Sequence, residues 1–230
     1  MSSTRPSLDF YFAAVSPWVY LGQAQLLSIL ERQQADVRLH AVDPSYLGEH
    51  GFLALPQRPA ARRDYRIWEL KRWRDQLGVP LNLQPKFFPT PAASATGMVL
   101  AAQDEVSPRA ALAFLARIGR AVWADELDIA DSDVLLTLAH ECGLDGPALL
   151  AAAPGRAGQF AESSERARQL GVFGVPWYVV AGEPFWGQDR LDFVERALER
   201  QSRKPLAGPL AGAVAGAVTA PVAGLVAGAE

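Results

Sequence analysis

Cysteine is nearly absent from this chain of 230 residues, since Cys142 is the only one. A single cysteine excludes an internal disulfide, a Cys-x-x-Cys redox pair and a cysteine-based zinc site. A chain without disulfides is typical of a reducing compartment, so we expect a cytoplasmic protein. The first residues also lack the long apolar run and small-residue cleavage site of a secretion signal.

An excess of positive charge is also absent. The 22 Lys and Arg residues are balanced by 25 Asp and Glu, which gives a net charge of −3. No basic field therefore calls for nucleic acid, and we expect no nucleic-acid partner. The histidines His40, His50 and His140 are scattered without the spacing of metal ligands, so we expect no metal site.

Charged residues disappear between Pro205 and Ala229, where almost every residue is Ala, Gly, Val, Leu or Pro. An uncharged run of this length invites a membrane-spanning interpretation. Ala and Gly contribute little to insertion, however, and three prolines interrupt the run. We therefore predict a flexible low-complexity tail over residues 201–230 and no membrane partner.

Strand patterns lie at both ends of the remaining chain. Residues 8–13 and 36–42 are predicted strands, and a helical pattern over 17–35 joins them in a βαβ unit. Residues 176–188 predict two strands around an Ala-Gly turn. A helix over 189–200 follows, with Asp189 as its N-cap.

Apart from the extended, proline-punctuated stretch "PLNLQPKFFPTP", the middle of the chain has helical patterns only. Helices are predicted over residues 61–78, 92–106, 108–123, 132–143, 145–153 and 161–171. The sequence thus favours an α/β fold in which residues 8–45 and 165–200 form one domain and residues 46–164 form an all-helical insertion.

Two proline motifs lie next to strands. Ser16-Pro17 begins the first helix, where serine is a common N-cap and proline a common first residue. The same serine could offer its hydroxyl, at the positive end of the helix, to a group that ionises. Val175-Pro176 precedes a strand; a cis bond would leave the Val175 backbone free for an extended ligand, whereas a trans bond would begin an edge strand. The residues alone leave both pairs of alternatives open.

Four stretches resemble one family: "YFAAVSPWVYLG", "LGVPLNLQPKFFP", "GVFGVPWYVV" and "GEPFWGQDRLDFVERAL". From about Leu8 to Arg200 the chain resembles 2-hydroxychromene-2-carboxylate isomerases and kappa-class glutathione transferases, which are relatives of the disulfide oxidoreductases. The resemblance implies a thioredoxin-like domain with a helical insertion. Where the thioredoxin pattern has Cys-Pro-x-Cys, this chain reads Ser16-Pro17-Trp18-Val19, so dithiol exchange is excluded.

The resemblance implies glutathione as cofactor, with Ser16 as the catalytic residue that donates a hydrogen bond to its sulfur. Helix N-termini and nearby donors lower the pKa of thiols, so this placement favours the thiolate. Val175 would pair its backbone with the cysteinyl part, and Gln188 and Asp189 would meet the γ-glutamyl end. The implied cofactor-binding residues are Ser16, Pro17, Trp18, Val175, Pro176, Gln188 and Asp189.

The activity implied is cis–trans isomerisation of an aromatic pyruvate-type compound through thiolate addition, bond rotation and elimination. A kappa-like transferase and a non-catalytic glutathione- or peptide-binding module are the alternatives. Members of the family commonly form dimers, which leaves a homodimer open. The loop after Pro44 lacks the family's Lys and Asn and is shortened, which leaves the contacts to the glycyl end of glutathione unassigned.

A basic, aromatic segment between Arg58 and Arg74 has two interpretations. Its arginines form either a solvated helix face or a site for a substrate carboxylate. Trp18, Tyr65, Trp68, Trp73 and Trp186 are candidates for an aromatic pocket, although we expect most of them in the core. Cys142 is predicted to be a packed thiol.

Overall fold

A computed structural model describes residues 5–203, in which both ends of the chain meet in one sheet. The strands are β1 (Ser7–Phe12), β2 (Asp36–Ala41), β3 (Trp177–Val180) and β4 (Glu183–Trp186), in the order β2-β1-β3-β4. β1 and β2 are parallel and are joined by α1 (Pro17–Arg32), while β3 is antiparallel to both β1 and β4. The predicted α/β class and the predicted βαβ unit are confirmed.

Helices occupy the chain between β2 and β3. They are α2 (Ala60–Leu77), α3 (Ala93–Glu105), α4 (Pro108–Trp123), α5 (Ser132–Glu141), α6 (Gly146–Ala152) and α7 (Ala157–Gln169). Short 3-10 turns at Pro44–His50, Leu55–Gln57 and Ala153–Arg156 connect them. From residue 42 to residue 176 the chain contains no strand, as expected of a helical insertion.

Two predicted boundaries differ from the observed elements. Helix α7 begins four residues earlier than predicted and runs across the predicted division at residues 164–165. The last helix, α8 (Leu191–Arg203), includes residues 201–203 of the predicted tail, and the rest of that tail lies outside the described residues. Within 5–203, no helix combines the length and the apolar character needed to cross a membrane.

The sheet packs on both faces because its side chains alternate. Leu8, Phe10 and Phe12 of β1 point into the main core, together with buried side chains of α1, α3, α4 and α8. Tyr11 and Trp177 point to the opposite face, where α7 and the Pro44–His50 turn cover them in a smaller cluster. The insertion helices therefore share one core with the sheet.

A close helix contact in this core gives a first prediction. A Cβ at Gly97 of α3 would lie 2.6 Å from the carbonyl oxygen of Ala153, which is backbone and cannot move aside easily. We expect Gly97→Ala to lower the free energy of unfolding by about 1–3 kcal/mol, measured by urea denaturation. At Gly158 of α7 the same change meets nothing within 4 Å, so Gly158→Ala should be neutral or stabilising. Equal stability of the two variants would contradict the contact.

Candidate active site

The register of β1 and β3 places the two proline motifs side by side. Tyr11 is paired with Trp177 in the antiparallel ladder, so the residues that follow β1 lie beside those that precede β3. The segment from Ala13 to Ser16 is closed by a hydrogen bond from the Ser16 amide to the Ala13 carbonyl at 3.0 Å. Ser16-Pro17 and Val175-Pro176 thus meet at one edge of the domain.

Ser16 is the N-cap of α1 and is half-buried. Its backbone is extended, and its Oγ accepts a long hydrogen bond of 3.4 Å from the Val19 amide. The hydroxyl proton is not used by this cap, because the oxygen acts there as an acceptor. The first turn of α1 contains no acidic residue, so the positive end of the helix is left uncompensated. The capping role is therefore compatible with donation to an anion.

The peptide bond between Val175 and Pro176 is cis. Neither the amide nor the carbonyl of Val175 makes a backbone hydrogen bond to another described residue, whereas the Pro176 carbonyl accepts one from the Gly187 amide at 3.0 Å. Buried or half-buried backbone groups normally find partners. The half-buried Val175 therefore offers a free donor and a free acceptor next to Ser16, of the kind that an extended peptide uses.

The turn after β4 corrects one prediction. Asp189 does not cap the last helix: a 3-10 turn, Gln188–Arg190, precedes α8, and its N-cap is Gly187, which has no side chain to bond with. Gly187 has φ +104°, a conformation that glycine adopts readily. The Asp189 carboxylate is exposed and lies 3.5 Å from the Arg190 guanidinium.

Gln188 lies inside the same turn and packs against α1. Gln188 is 3% exposed, and a Cβ added at Gly22 of α1 would lie 2.9 Å from the Cβ of Gln188. Its Oε1 is buried and has no hydrogen-bond partner among the described residues. An unpaired buried oxygen is costly unless a ligand or water satisfies it. The turn thus links the Val175-Pro176 loop, through Gly187, to the helix that Ser16 begins.

Within residues 5–203, no side chain that could remove its proton is hydrogen-bonded to Ser16. Tyr178 of β3 is fully buried, and burial, followed by the charge of Asp189, raises its pKa well above the usual range. Burial likewise raises the pKa of the Cys142 thiol, which packs against the core as predicted. The hydrogen bonds of Ser16 include none to a histidine or carboxylate within residues 5–203. The arrangement suits a hydrogen-bond donor rather than a serine nucleophile.

One wall of the site was not foreseen from the sequence. Trp123, at the end of α4, is fully buried and donates from Nε1 to the carbonyl of Val15, the residue before Ser16, at 3.2 Å. The rings of Trp123 and Phe88 lie 4.6 Å apart. The Arg66 guanidinium of α2 lies over both rings. Only the position of Trp123 at the last turn of a predicted helix could have suggested this contact.

The aromatic candidates separate into two groups. Trp18 and Trp73 pack partly buried against the core. Tyr65, Trp68 and Trp186 are 58%, 57% and 50% exposed, so the expectation that most of the set is buried is wrong. Tyr65 and Trp68 lie on the outward face of α2, where Arg72 stacks on Tyr65 and Lys71 on Trp68.

The loop after β2 and the surface cavities do not include Ser16, although Phe88 lines the smaller cavity. The segment after β2 forms the two 3-10 turns and contains no Lys or Asn between residues 43 and 60. Two surface cavities of about 290 and 520 Å³ are lined by the Lys86–Pro91 segment and by α7, and Ser16 lines neither. Among the described residues, no three His, Cys, Asp or Glu side chains come together as metal ligands.

The sequence matches the model of a known family over nearly all of the described residues. The model of the DSBA-like thioredoxin domain matches residues 7–199. The chain belongs to this family. The thioredoxin-like fold with a helical insertion, predicted from the sequence, is confirmed.

Individual relatives narrow the resemblance. A 2-hydroxychromene-2-carboxylate isomerase of Sphingobium xenophagum is 30% identical over 199 residues, covering 84% of this chain and 97% of that protein. A solved 2-hydroxychromene-2-carboxylate isomerase has the same fold, with a TM-score of 0.72 and 23% identity over 86% of this chain and 96% of that one. The cytosolic disulfide reductase DsbM of Pseudomonas aeruginosa, solved with GSH, has a TM-score of 0.62 and 26% identity over 86% of this chain and all of that one. The predicted resemblance to the isomerases is confirmed.

Proposed function

We propose that this protein is a glutathione-dependent isomerase of aromatic pyruvate-type compounds. The observation that carries the proposal is the position of the Ser16 hydroxyl, whose proton is unused by its cap, beside a Val175 backbone without partners among the described residues. The shared family with proteins named 2-hydroxychromene-2-carboxylate isomerase supports the reaction class. The GSH-bound relative supports the cofactor.

The chemistry of the site fits glutathione. The amide and carbonyl of Val175 can pair with an extended tripeptide as a further strand would. The exposed Asp189 carboxylate suits an ammonium group, and the buried Oε1 of Gln188 is an acceptor without a partner. Disulfide exchange is not supported, because Ser16 and Val19 occupy the two cysteine positions and Cys142 lies in the insertion.

Bound there, glutathione would supply a thiolate that adds to an electron-poor double bond and leaves again after the bond has rotated. Ser16 would donate its hydroxyl proton as a hydrogen bond to the sulfur and favour the ionised form without ionising itself. The N-terminus of α1 would add its partial positive charge. Such a site requires glutathione in its reduced form, as in the cytoplasm expected from the single cysteine.

The experiment that tests the function follows one aromatic 2-oxo acid with a conjugated cis double bond. We expect its conversion to the trans isomer to require both the protein and glutathione, with no change in the substrate's mass by mass spectrometry. A product heavier by one glutathione would instead identify a transferase. Glutathione binding without turnover of any electrophile would identify a binding module, and absence of glutathione binding would contradict both the isomerase and the transferase.

A further inference from the structure

An arginine occupies a core-facing position on α2. Leu70, Trp73 and Leu77 recur at helical spacing, and all three pack against the main core. Arg66 lies one turn before Leu70 on this face and is half-buried. A charged residue at such a position is unusual unless a partner compensates its lost hydration.

The described residues supply no such partner. The Arg66 guanidinium lies 5.8 Å from the ring centre of Phe88 and 5.7 Å from that of Trp123, and it forms no ion pair or hydrogen bond within residues 5–203. Burial, followed by the charge of Arg58, lowers the pKa of Arg66 to about 10, which leaves it charged at neutral pH. Aromatic faces stabilise a guanidinium but leave its donors free.

Three other half-buried arginines of the insertion have polar partners, and one of them, Arg109, donates to the carbonyls of Leu30 and Ala35. Arg117 lies 2.9 Å from the Asp125 carboxylate, and Arg156 lies 3.0 Å from that of Asp104. Arg66 differs because its charged neighbour is a second arginine. Arg58 is fixed by donating from Nε to the Leu53 carbonyl at 2.8 Å, and it also has no ion pair among the described residues. The surface between these two guanidinium groups therefore favours an anion.

This positive surface adjoins the candidate thiolate site. The indole under Arg66 belongs to Trp123, whose Nε1 holds the Val15 carbonyl, and Val15 is bonded to Ser16. A single side chain thus connects the guanidinium with the backbone of the serine. An aromatic acid could stack on the exposed part of the half-buried Phe88 ring while its carboxylate meets the guanidinium fork.

We propose that Arg66, supported by Arg58, is the carboxylate-binding residue that makes the site specific for aromatic 2-oxo acids. The inference rests on the proposed function, because that function places the reacting double bond beside Ser16. A guanidinium that loses little further hydration on pairing would bind a carboxylate in two parallel hydrogen bonds. Neutral derivatives of the same compound would lack this interaction.

The test measures equilibrium binding, without glutathione, of benzylidenepyruvate and of its methyl ester. We expect the unchanged protein to bind the acid more tightly than the ester by about 10-fold, the value of one charge-assisted contact. Arg66→Gln should remove this preference by weakening the binding of the acid and leaving the binding of the ester unchanged. Arg66→Lys should retain part of it, because the charge remains but the planar fork is lost.

Arg72→Gln is the matched control. Arg72 lies on the same helix and stacks on Tyr65 at 5.8 Å, but it faces outward and pairs with Glu69. The control should keep the preference for the acid. Arg66→Met separates binding from packing, since a purely structural role would lower the melting temperature and leave the preference unchanged. Equal binding of acid and ester by the unchanged protein, or a preference that survives Arg66→Gln or Arg66→Met, would overturn the proposal.

Failure of this inference can be told apart from failure of the proposed function. Glutathione binding to Arg66→Gln, measured by calorimetry, should match that of the unchanged protein, because Arg66 is assigned to the acid alone. A protein that prefers the acid through Arg66 but binds no glutathione would support the carboxylate site and contradict the glutathione-dependent isomerase. A glutathione-dependent isomerase whose preference for the acid does not depend on Arg66 would support the proposed function and contradict the carboxylate site.

Discussion

Ser16→Ala is expected to raise the pKa of the thiol of bound glutathione and to slow isomerisation at neutral pH. A hydrogen bond to a charged group contributes about 1.5–3 kcal/mol, which corresponds to a pKa rise of about 1–2 units and an activity loss of about 10- to 100-fold. The Ser16 hydroxyl is free to make this bond because its cap uses the oxygen only as an acceptor. The measurement is the ultraviolet absorbance of the thiolate in the complex, followed as a function of pH.

The sign of the pH dependence distinguishes this role from general damage. At a pH above the thiol pKa of both the parent complex and the Ser16→Ala complex, the thiolate forms with or without the hydroxyl. The difference in activity between variant and parent should therefore shrink as the pH rises. A folding defect would not show this recovery. A titration curve of Ser16→Ala that coincides with that of the parent would contradict the assignment of Ser16.

A second Ser-Pro pair in the same chain provides the control. Ser107 precedes Pro108 and is the N-cap of α4, where its Oγ accepts from the Ala110 amide at 3.1 Å. Ser107→Ala removes a cap of the same kind and should cost about 0.5–2 kcal/mol of stability. It should leave the thiol pKa unchanged. If both variants shifted the thiol pKa equally, loss of a helix cap would explain the result, not donation by Ser16.

The sequence was informative where short-range rules decide the structure. Ser16 and Pro17 can be recognised as the start of a helix because helix termini have strong residue preferences. Two apolar runs on either side of Ala181 and Gly182 predict the β3–β4 hairpin, because tight turns also have local residue preferences. Both turn residues have positive φ. These elements bring Ser16 and Val175 to one edge of the sheet. The order of the strands and helices, and the place of the candidate site, could therefore be predicted from the sequence.

Contacts between distant segments were not accessible in this way. Trp123 and Val15 are separated by 108 positions, and no local pattern links an indole at the end of one helix to a carbonyl before another. Arg66 is one of several arginines in its helix, and only the folded position separates it from the solvated Arg72. The prediction that Asp189 caps the last helix failed because a 3-10 turn, with Gly187 as its N-cap, precedes α8.

Gly187→Ala is expected to weaken glutathione binding and to destabilise the protein. The residue has φ +104°, a conformation that costs an L-amino acid of the order of 1–3 kcal/mol. Its amide fixes the Pro176 carbonyl at 3.0 Å, and a Cβ would lie 2.5 Å from Oδ1 of Asp189. Relief of this contact must move either the Asp189 carboxylate or the loop that carries Val175. We expect binding weaker by about 10-fold or more, corresponding to the loss of one or two ligand hydrogen bonds, measured by calorimetry.

Gly182 at the other end of the same hairpin separates strain from site geometry. It has φ +84°, and a Cβ there meets nothing within 4 Å. Gly182→Ala should therefore cost comparable backbone strain in the same element, seen in urea denaturation, and leave glutathione binding unchanged. Equal losses of binding in the two variants would show that hairpin stability alone controls the affinity. Unchanged binding in Gly187→Ala would mean that the Gly187 turn does not position the glutathione site, because the contact with Asp189 cannot persist in that variant.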